Sequence, residues 1–334
     1  MTIELVCPAG SPAALTAALE QGADAIYLGL RNPTNARAFP GLNFAPENLR
    51  QAVDTAHARG KKIYLALNTY PTSDQMALWK SSIDTAAEAG VDALIMAEMS
   101  LLDYAIRHHP DIPRHLSVQG SATSPAALRF FHEQFGISRA VLPRVLSLSQ
   151  VERVCEKSPV GIEVFAFGSL CIMVEGRCQL SSHVTGKSPN CDGVCSPAES
   201  VTWQEQPGGK RRVRLGDVLI DEFQPDEAAS YPTVCKGRYQ ADKDFYYALE
   251  EPTSLNTLSI LPALANAGVA AVKIEGRQRG PAYVGQVTQV WRQALDQLSR
   301  RSTEFIVAPS WQETLAHVAE GKQTTLGPYQ RDWH

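Results

Sequence analysis

Apolar residues along this chain fall in short continuous runs, separated by stretches rich in small helix-forming residues. The runs are 3–8 (IELVCP), 25–30 (AIYLGL), 62–68 (KIYLALN), 93–98 (ALIMAE), 115–121 (HLSVQGS), 139–145 (RAVLPRV), 161–167 (GIEVFAF) and 270–275 (AAVKIE). They are runs rather than strict alternations, the pattern of parallel strands covered by helices. Eight strands of this kind, each followed by a helical stretch, predict an α/β chain.

Three segments echo one another: ALEQGADAIYL (18–28), AAEAGVDALIM (86–96) and ALANAGVAAVKI (263–274). Each is a helix end, a glycine able to take the left-handed turn that closes a helix, and a buried strand. A repeated helix-to-strand junction favours a closed (β/α)8 TIM-like barrel over its competitor, an open doubly wound sheet. The rhythm breaks once, between strand seven and a helix expected over 255–267. The expected organisation is one barrel domain over 1–300, interrupted by an insertion at 169–253, with a C-terminal extension at 301–334. Within the insertion, 200–205 and 212–220 read as a hairpin around Pro207-Gly208-Gly209. A loop that long in a compact domain is usually functional, and it leaves from the face where barrels carry their sites.

Composition narrows the class. The 334 residues are 44% hydrophobic and 20% charged, which excludes long disorder, a coiled coil or a collagen-like chain as the main architecture. Lys and Arg number 31 against 35 Asp and Glu, a formal charge of −4, unfavourable for a general nucleic-acid coat. No apolar run approaches a membrane span, and MTIELVCPAG is no secretory signal, so a cytoplasmic protein without a transmembrane segment is expected. In that reducing setting the 7 cysteines point to metal, cluster or catalytic roles rather than disulfides.

Five cysteines fall in the insertion: Cys171, Cys178, Cys191, Cys195 and Cys235. Glycines 168, 176, 193 and 237 lie among them, giving backbone amides room to approach sulfur. Arg177, Lys236 and Arg238 adjoin cysteines, where cations would favour thiolates. Zinc sites favour pairs separated by two to four residues. Six residues separate Cys171 from Cys178 and sixteen separate Cys178 from Cys195, while Cys191–Cys195 alone has zinc-like spacing. An iron–sulfur cluster, a zinc ion and unliganded thiols all remain open on spacing. Cys7 in strand one and Cys155 on helix six read as core or surface residues.

Polar residues cluster at the strand ends: Asn35, Arg37, Asn68, Glu98, Gln119, Ser121, Arg144, Glu275 and Arg277. In a barrel these converge on one mouth. Its arginines suit a small carboxylate-bearing ligand, because guanidinium binds carboxylate bidentately. Arg144, Glu275 and Arg277 are the candidate catalytic residues. The chain has no GxxxxGK[ST], GxSxG or HExxH signature, and His108-His109 at a helix end reads as solvated.

The segments CPAGSPAALTAALEQGADAIYLGL, EVFAFGSLCIMVEGRCQLSS, SPAES after Cys195, VCKGRY and KIEGRQRGPAYVGQVTQVWRQAL resemble the peptidase U32 family across nearly the whole chain. NARAFPGLNF, ALEEPTSLNTL and QTTLGPYQRDWH are similar to the branch of that family that works in oxygen-independent ubiquinone biosynthesis. The resemblance implies a [4Fe-4S] cluster on Cys171, Cys178, Cys195 and Cys235, with Cys191 as an extra thiol. It also implies a heterodimer with a UbiV-like protein and hydroxylation of a ubiquinone precursor ring without O2, the precursor being presented by a lipid-binding accessory protein. Other relatives hydroxylate RNA bases, with prephenate as the implied oxygen donor. That dicarboxylate suits the arginine-bearing mouth.

Four functions therefore compete. They are an anaerobic hydroxylase subunit for a quinone precursor, an RNA base hydroxylase, a peptidase, and a non-catalytic iron–sulfur scaffold. The acidic balance, and the lack of an added RNA-binding domain after residue 300, lead to the expectation of no nucleic-acid partner. The segment around Cys191 and the tail with Tyr329 and Trp333 carry apolar residues among Gly, Pro and Ser, and are expected to seek cover from a partner. Docking of the tail on its own barrel is the alternative.

Overall fold

Eight strands close into a barrel in a computed structural model that describes residues 2–300 and 304–330. They are β1 (Glu4–Pro8), β2 (Ala25–Gly29), β3 (Lys62–Leu67), β4 (Ala93–Met96), β5 (Arg114–Leu116), β6 (Ile137–Val141), β7 (Gly161–Ser169) and, after the insertion, a strand at Ala271–Ile274. Each of the first seven is parallel to the next. The last strand seals the barrel, with Ala271 opposite Glu4 of β1 on one side and Glu163 of β7 on the other. The expected (β/α)8 barrel is therefore the observed fold, and the open sheet is excluded by that closure.

Helices α1 (Pro12–Glu20), α2 (Leu49–His57), α3 (Met76–Ala89), α4 (Met99–His108), α5 (Pro125–Phe135) and α6 (Leu148–Lys157) cover the outside. Serines begin three of them: Ser11, Ser124 and Ser147 each accept a backbone N–H from the first turn. The echoed junction has one geometry, with Gly22, Gly90 and Gly268 at φ of 90°, 76° and 84°. A side chain at these left-handed positions would be strained.

The insertion is more folded than its loop-rich sequence implies. After the short α7 (Leu180–Thr185), strands β8 (Val201–Glu205), β9 (Arg211–Leu215) and β10 (Val218–Phe223) form an antiparallel sheet. The expected hairpin arm 212–220 is thus two strands, split by a second turn at Gly216-Asp217. A further hairpin, β11 (Arg238–Ala241) and β12 (Asp244–Tyr247), follows. The helix expected from 255 begins later. Ser254–Asn256 is strand β13, antiparallel to β7, and α8 spans Leu261–Asn266. The sealing strand at 271–274 is β14. Helix α9 (Pro281–Arg300) follows it, then α10 (Pro309–Val318), which packs on α9, and β15 (Thr324–Thr325), which pairs with β13.

The barrel lumen is unlike an ordinary apolar filling. Val6, Ala25, Tyr27, Tyr64, Ala93, Ile95 and Ala271 pack there. Below them a charged network joins four strands: Arg139 contacts Glu4 at 2.6 Å and Glu163 at 3.3 Å, and Lys273 reaches Glu163 at 2.7 Å. No described helix is long and apolar enough to cross a membrane.

Candidate functional site

The insertion leaves the C-terminal end of β7 and folds back over the barrel mouth. Two glycines fix how closely it sits. A Cβ on Gly176 would lie 2.0 Å from the Gln119 carbonyl oxygen, and one on Gly193 would lie 2.4 Å from that of Asn35. These glycines admit barrel backbone, a different use from the approach to sulfur that sequence reasoning assigned to them. The Tyr70 amide donates to the Asn190 carbonyl at 3.0 Å, and the Ser121 hydroxyl donates to the Glu175 carbonyl.

Four insertion thiols form one electrostatic group. The charge of Cys195 is felt at Cys171; Cys195 feels Cys178 and Cys235, and Cys235 feels Cys178. Cys191 stands apart, hydrogen-bonded with Ser188 and acted on by Asp192. Cys7 is buried in β1, where Thr288 donates to its sulfur at 3.2 Å, and Cys155 lies on α6. All seven cysteines are free thiols.

Burial dominates the mouth thiols. It pushes Cys171 up to about 12, assisted by Glu175 and opposed by Arg144. It raises Cys195 against the pull of Arg37, and Cys235 against the Thr233 hydrogen bond and Lys236. Cys171, Cys195 and Cys235 as free thiols therefore keep their protons near neutral pH, so a metal would have to displace them. Of the neighbouring cations expected to favour thiolate, Lys236 does act on Cys235. Arg238 instead pairs with Asp221 at 2.6 Å and Glu227 at 2.8 Å.

Beneath the thiols lie the candidate catalytic residues. Glu275, at the end of β14, accepts from Arg37 at 3.3 Å and from Gln278 at 3.0 Å. Burial raises its carboxyl, but Arg37 and then Arg144 outweigh burial and hold it below the usual carboxylate range. Arg144 pairs with Glu175 at 2.6 Å and stacks 4.3 Å over the Phe165 ring. The Ser169 backbone joins the two: its carbonyl accepts from Arg144, and its amide donates to Glu275 at 3.4 Å.

Arg277 is buried, and its Nη1 donates to Asn35 Oδ1 at 2.9 Å. Burial, with a contribution from Arg37, brings its guanidinium down to about 10. Among the described residues no carboxylate lies within ion-pair distance of it. A buried cation without a countercharge is costly, so Arg277 is suited to an incoming anion.

The other strand-end polar residues divide. Asn68 accepts from the Ala36 amide at 3.0 Å and donates to Ser117 at 2.9 Å, bracing the loop that carries Arg37. Gln119 and Ser121 lie beyond β5, in a 3-10 turn and at its end, and Gln119 Oε1 is buried without a partner. Glu98 is a helix cap, accepting the Leu101 amide at 2.8 Å. His108 is exposed as expected, whereas His109 pairs with Asp84 at 2.7 Å. Glu175 was missed by sequence reasoning; its signal is an acid placed between two cysteines, tolerable only beside a cation.

The donor set fits a cluster. It offers four soft sulfur ligands, with Arg37 and Arg144 beside Cys195 and Cys171 to offset thiolate charge. Among the described residues no group of three or more His, Cys, Asp or Glu side chains is drawn together closely enough to hold a metal ion. The tail behaves otherwise than the partner-seeking reading. Tyr329 packs onto this chain's own Val118, Val141, Phe165, Leu170 and Leu255, while Trp333 lies outside the described residues.

Comparison with known proteins adds chemistry to this geometry. The model of the family described as Peptidase family U32 matches residues 10–330. The chain is 31% identical over 310 residues to the tRNA hydroxylation protein P of Escherichia coli strain K12, covering 88% of this chain and 68% of that protein. It is 30% identical over 329 residues to a collagenase of Porphyromonas gingivalis, covering 94% and 70%. It is also 30% identical over 325 residues to the 23S rRNA 5-hydroxycytidine C2501 synthase of Escherichia coli, covering 93% of this chain and 44% of that protein.

Proposed function

The chain belongs to peptidase family U32, and on that premise we propose that it is the iron–sulfur subunit of an oxygen-independent ring hydroxylase. The observation that carries this reading is the grouping of Cys171, Cys178, Cys195 and Cys235 at the barrel mouth, with Cys171 acted on by Arg144 and Cys195 by Arg37 and Glu275. A [4Fe-4S] cluster held by those four thiolates would supply electron transfer beside the reacting ring. Replacing ring C–H by C–OH removes two electrons from the ring, so an oxygen donor must take them up. Prephenate is the donor implied by the resemblance. Arg277 is the residue to bind a donor carboxylate, while Glu275 and Arg37 hold the mouth's polar edge. Relatives named as hydroxylation proteins support this reaction class. The groups acting on the mouth thiols are Arg37, Arg144, Glu175, Glu275, Lys236 and one another. A cysteine peptidase needs an imidazole in that place.

Two substrates compete. The names of the relatives favour an RNA base. The acidic balance of this chain, at a formal charge of −4, and its resemblance to the quinone branch support a ubiquinone precursor. Its basic run Lys210–Arg214 is only partly compensated: Arg212 and Lys210 share the one Glu222 carboxylate, and Arg211 donates to the Glu227 backbone carbonyl. The insertion instead presents half-exposed Trp203, Phe245, Tyr246 and Leu249, a surface for an apolar partner or carrier rather than a polyanion. We therefore take the quinone precursor as substrate and a UbiV-like protein as partner, with an RNA base as the second reading. Anaerobic purification with iron and sulfide analysis tests the cluster. Ring hydroxylation is then assayed on a quinone precursor and on unmodified RNA, each with and without the UbiV-like chain. Product from RNA alone overturns the quinone reading, and a chain without iron or sulfide overturns both.

A further inference from the structure

The C-terminal segment touches both ends of the cysteine-bearing insertion. At one end, Lys236, next to Cys235, forms an ion pair with Glu320 and donates to Ser169 Oγ at 2.9 Å. The Ser169 hydroxyl donates to the same Glu320 carboxylate at 2.8 Å. At the other end, Gly327 lies against Leu170, next to Cys171, where an added Cβ would come 3.3 Å from the leucine side chain, and Tyr329 packs on the apolar cluster that includes Leu170. Between these contacts the segment is held by β15 on β13 and by the Glu320 amide, which donates to Ser254 Oγ at 2.9 Å.

From this we propose that residues 320–330 are a clasp, and that Glu320 is a positioning residue that fixes the Cys235 loop against the end of β7. The argument is one of charge and reach. Lys236 is buried, with 5% of its side chain exposed, and Glu320 is its ion-pair partner among the described residues. Taking away one member of a buried pair leaves the other charge uncompensated, which favours any rearrangement that returns it to water. For Lys236 that rearrangement pulls its neighbour Cys235 away from Cys178 and Cys195, the thiols it is coupled to. Ser169 also carries backbone contacts to Arg144 and Glu275, so the clasp ties the thiol group to the polar floor of the mouth. Sequence alone could not pair these residues, since Lys236 and Glu320 are 84 positions apart.

The proposal rests on the cluster reading for its consequence, and the test separates the two. The full-length chain and Glu320→Gln are purified anaerobically, and cluster loss to an iron chelator is followed by visible absorbance. The variant should lose its cluster about tenfold faster. Its reduction potential should rise, because the uncompensated Lys236 cation favours the more negative reduced cluster. The double variant Lys236→Gln/Glu320→Gln removes that cation, so its potential should return toward the parent value, which a general loosening would not produce. Hydrogen exchange of the metal-free chain provides the readout that needs no cluster. Glu320→Gln should expose 168–173 and 233–240 together while the β1–β4 amides keep their protection. A parent chain devoid of iron and sulfide would sink the cluster reading and leave the clasp to be judged by exchange. Unchanged exchange in both segments, or cluster loss within twofold of the parent, would overturn the clasp.

Discussion

The Arg37 guanidinium lies 3.3 Å from the Glu275 carboxylate, joining positions 238 residues apart in sequence. The contact ties the loop after β2 to the end of β14 across the barrel mouth. Glu275 has 6% of its side chain exposed, so it depends on that cation. Arg37→Ala should cost about 3 kcal/mol, the range for orphaning one charge of a buried pair, and Arg37→Lys should restore part of it. Urea unfolding at neutral pH measures both. A loss for Arg37→Ala no larger than that for an exposed pair such as Arg107→Ala would contradict the buried-pair account.

The thiol grouping sorts the seven cysteines. Alanine at Cys171, Cys178, Cys195 or Cys235 should abolish or convert the cluster. Alanine at Cys7, Cys155 or Cys191 should leave iron and sulfide per chain unchanged. Cys191 is the informative member, because its sequence spacing to Cys195 is zinc-like, yet its sulfur is coupled to Asp192 and not to the other four. Loss of the cluster in Cys191→Ala would reassign the ligand set.

The barrel was legible in the sequence because parallel strands covered by helices leave unbroken apolar runs, and all eight runs became strands. What the runs concealed was their charge. Glu163, Arg139 and Lys273 interrupt GIEVFAF, RAVLPRV and AAVKIE as isolated polar letters, and only barrel closure brings Lys273 to Glu163 across 110 residues. Strand β13 was read as the start of a helix because three residues carry no period of their own; its pairing with β7 decides it. The cysteines and mouth arginines were legible from residue type and strand position. Glu175, the counter-ion of Arg144, and Glu320, the counter-ion of Lys236, were not, since nothing local distinguishes them from solvated acids.

Gly176 and Gly193 are where the insertion meets barrel backbone, so alanine there cannot be absorbed by a side-chain shift. Gly176→Ala or Gly193→Ala should lift the insertion, with faster proteolysis within 170–250 and a barrel that still unfolds cooperatively. Gly208→Ala, where nothing lies within 4 Å of the added carbon, is the control for a left-handed glycine without a close neighbour. Equal protease resistance in all three variants would show that the insertion is not seated as described.

Acid sensitivity should arise at the opposite end of the barrel from the cysteines. Burial raises the Glu4 carboxyl, but the hydrogen bond and charge of Arg139, the Tyr64 hydroxyl and Lys62 outweigh it and bring the group from 4.5 down to about 2. Glu163, beside Arg139 and Lys273, is depressed as well. A carboxyl depressed on folding contributes stability that is complete above its unfolded value and disappears as pH falls through the folded one. For Glu4 that window runs from about 4.5 to about 2. The shift corresponds to about 3 kcal/mol at neutral pH, an upper figure because part of the side chain meets solvent. Glu4→Gln should therefore be less stable than the parent at pH 7, and its thermal midpoint should fall less steeply between about pH 5 and pH 3. Some acid dependence should remain in the variant, supplied by Glu163. Parallel midpoint curves for parent and variant across that interval would mean that the lumen network does not govern the acid response.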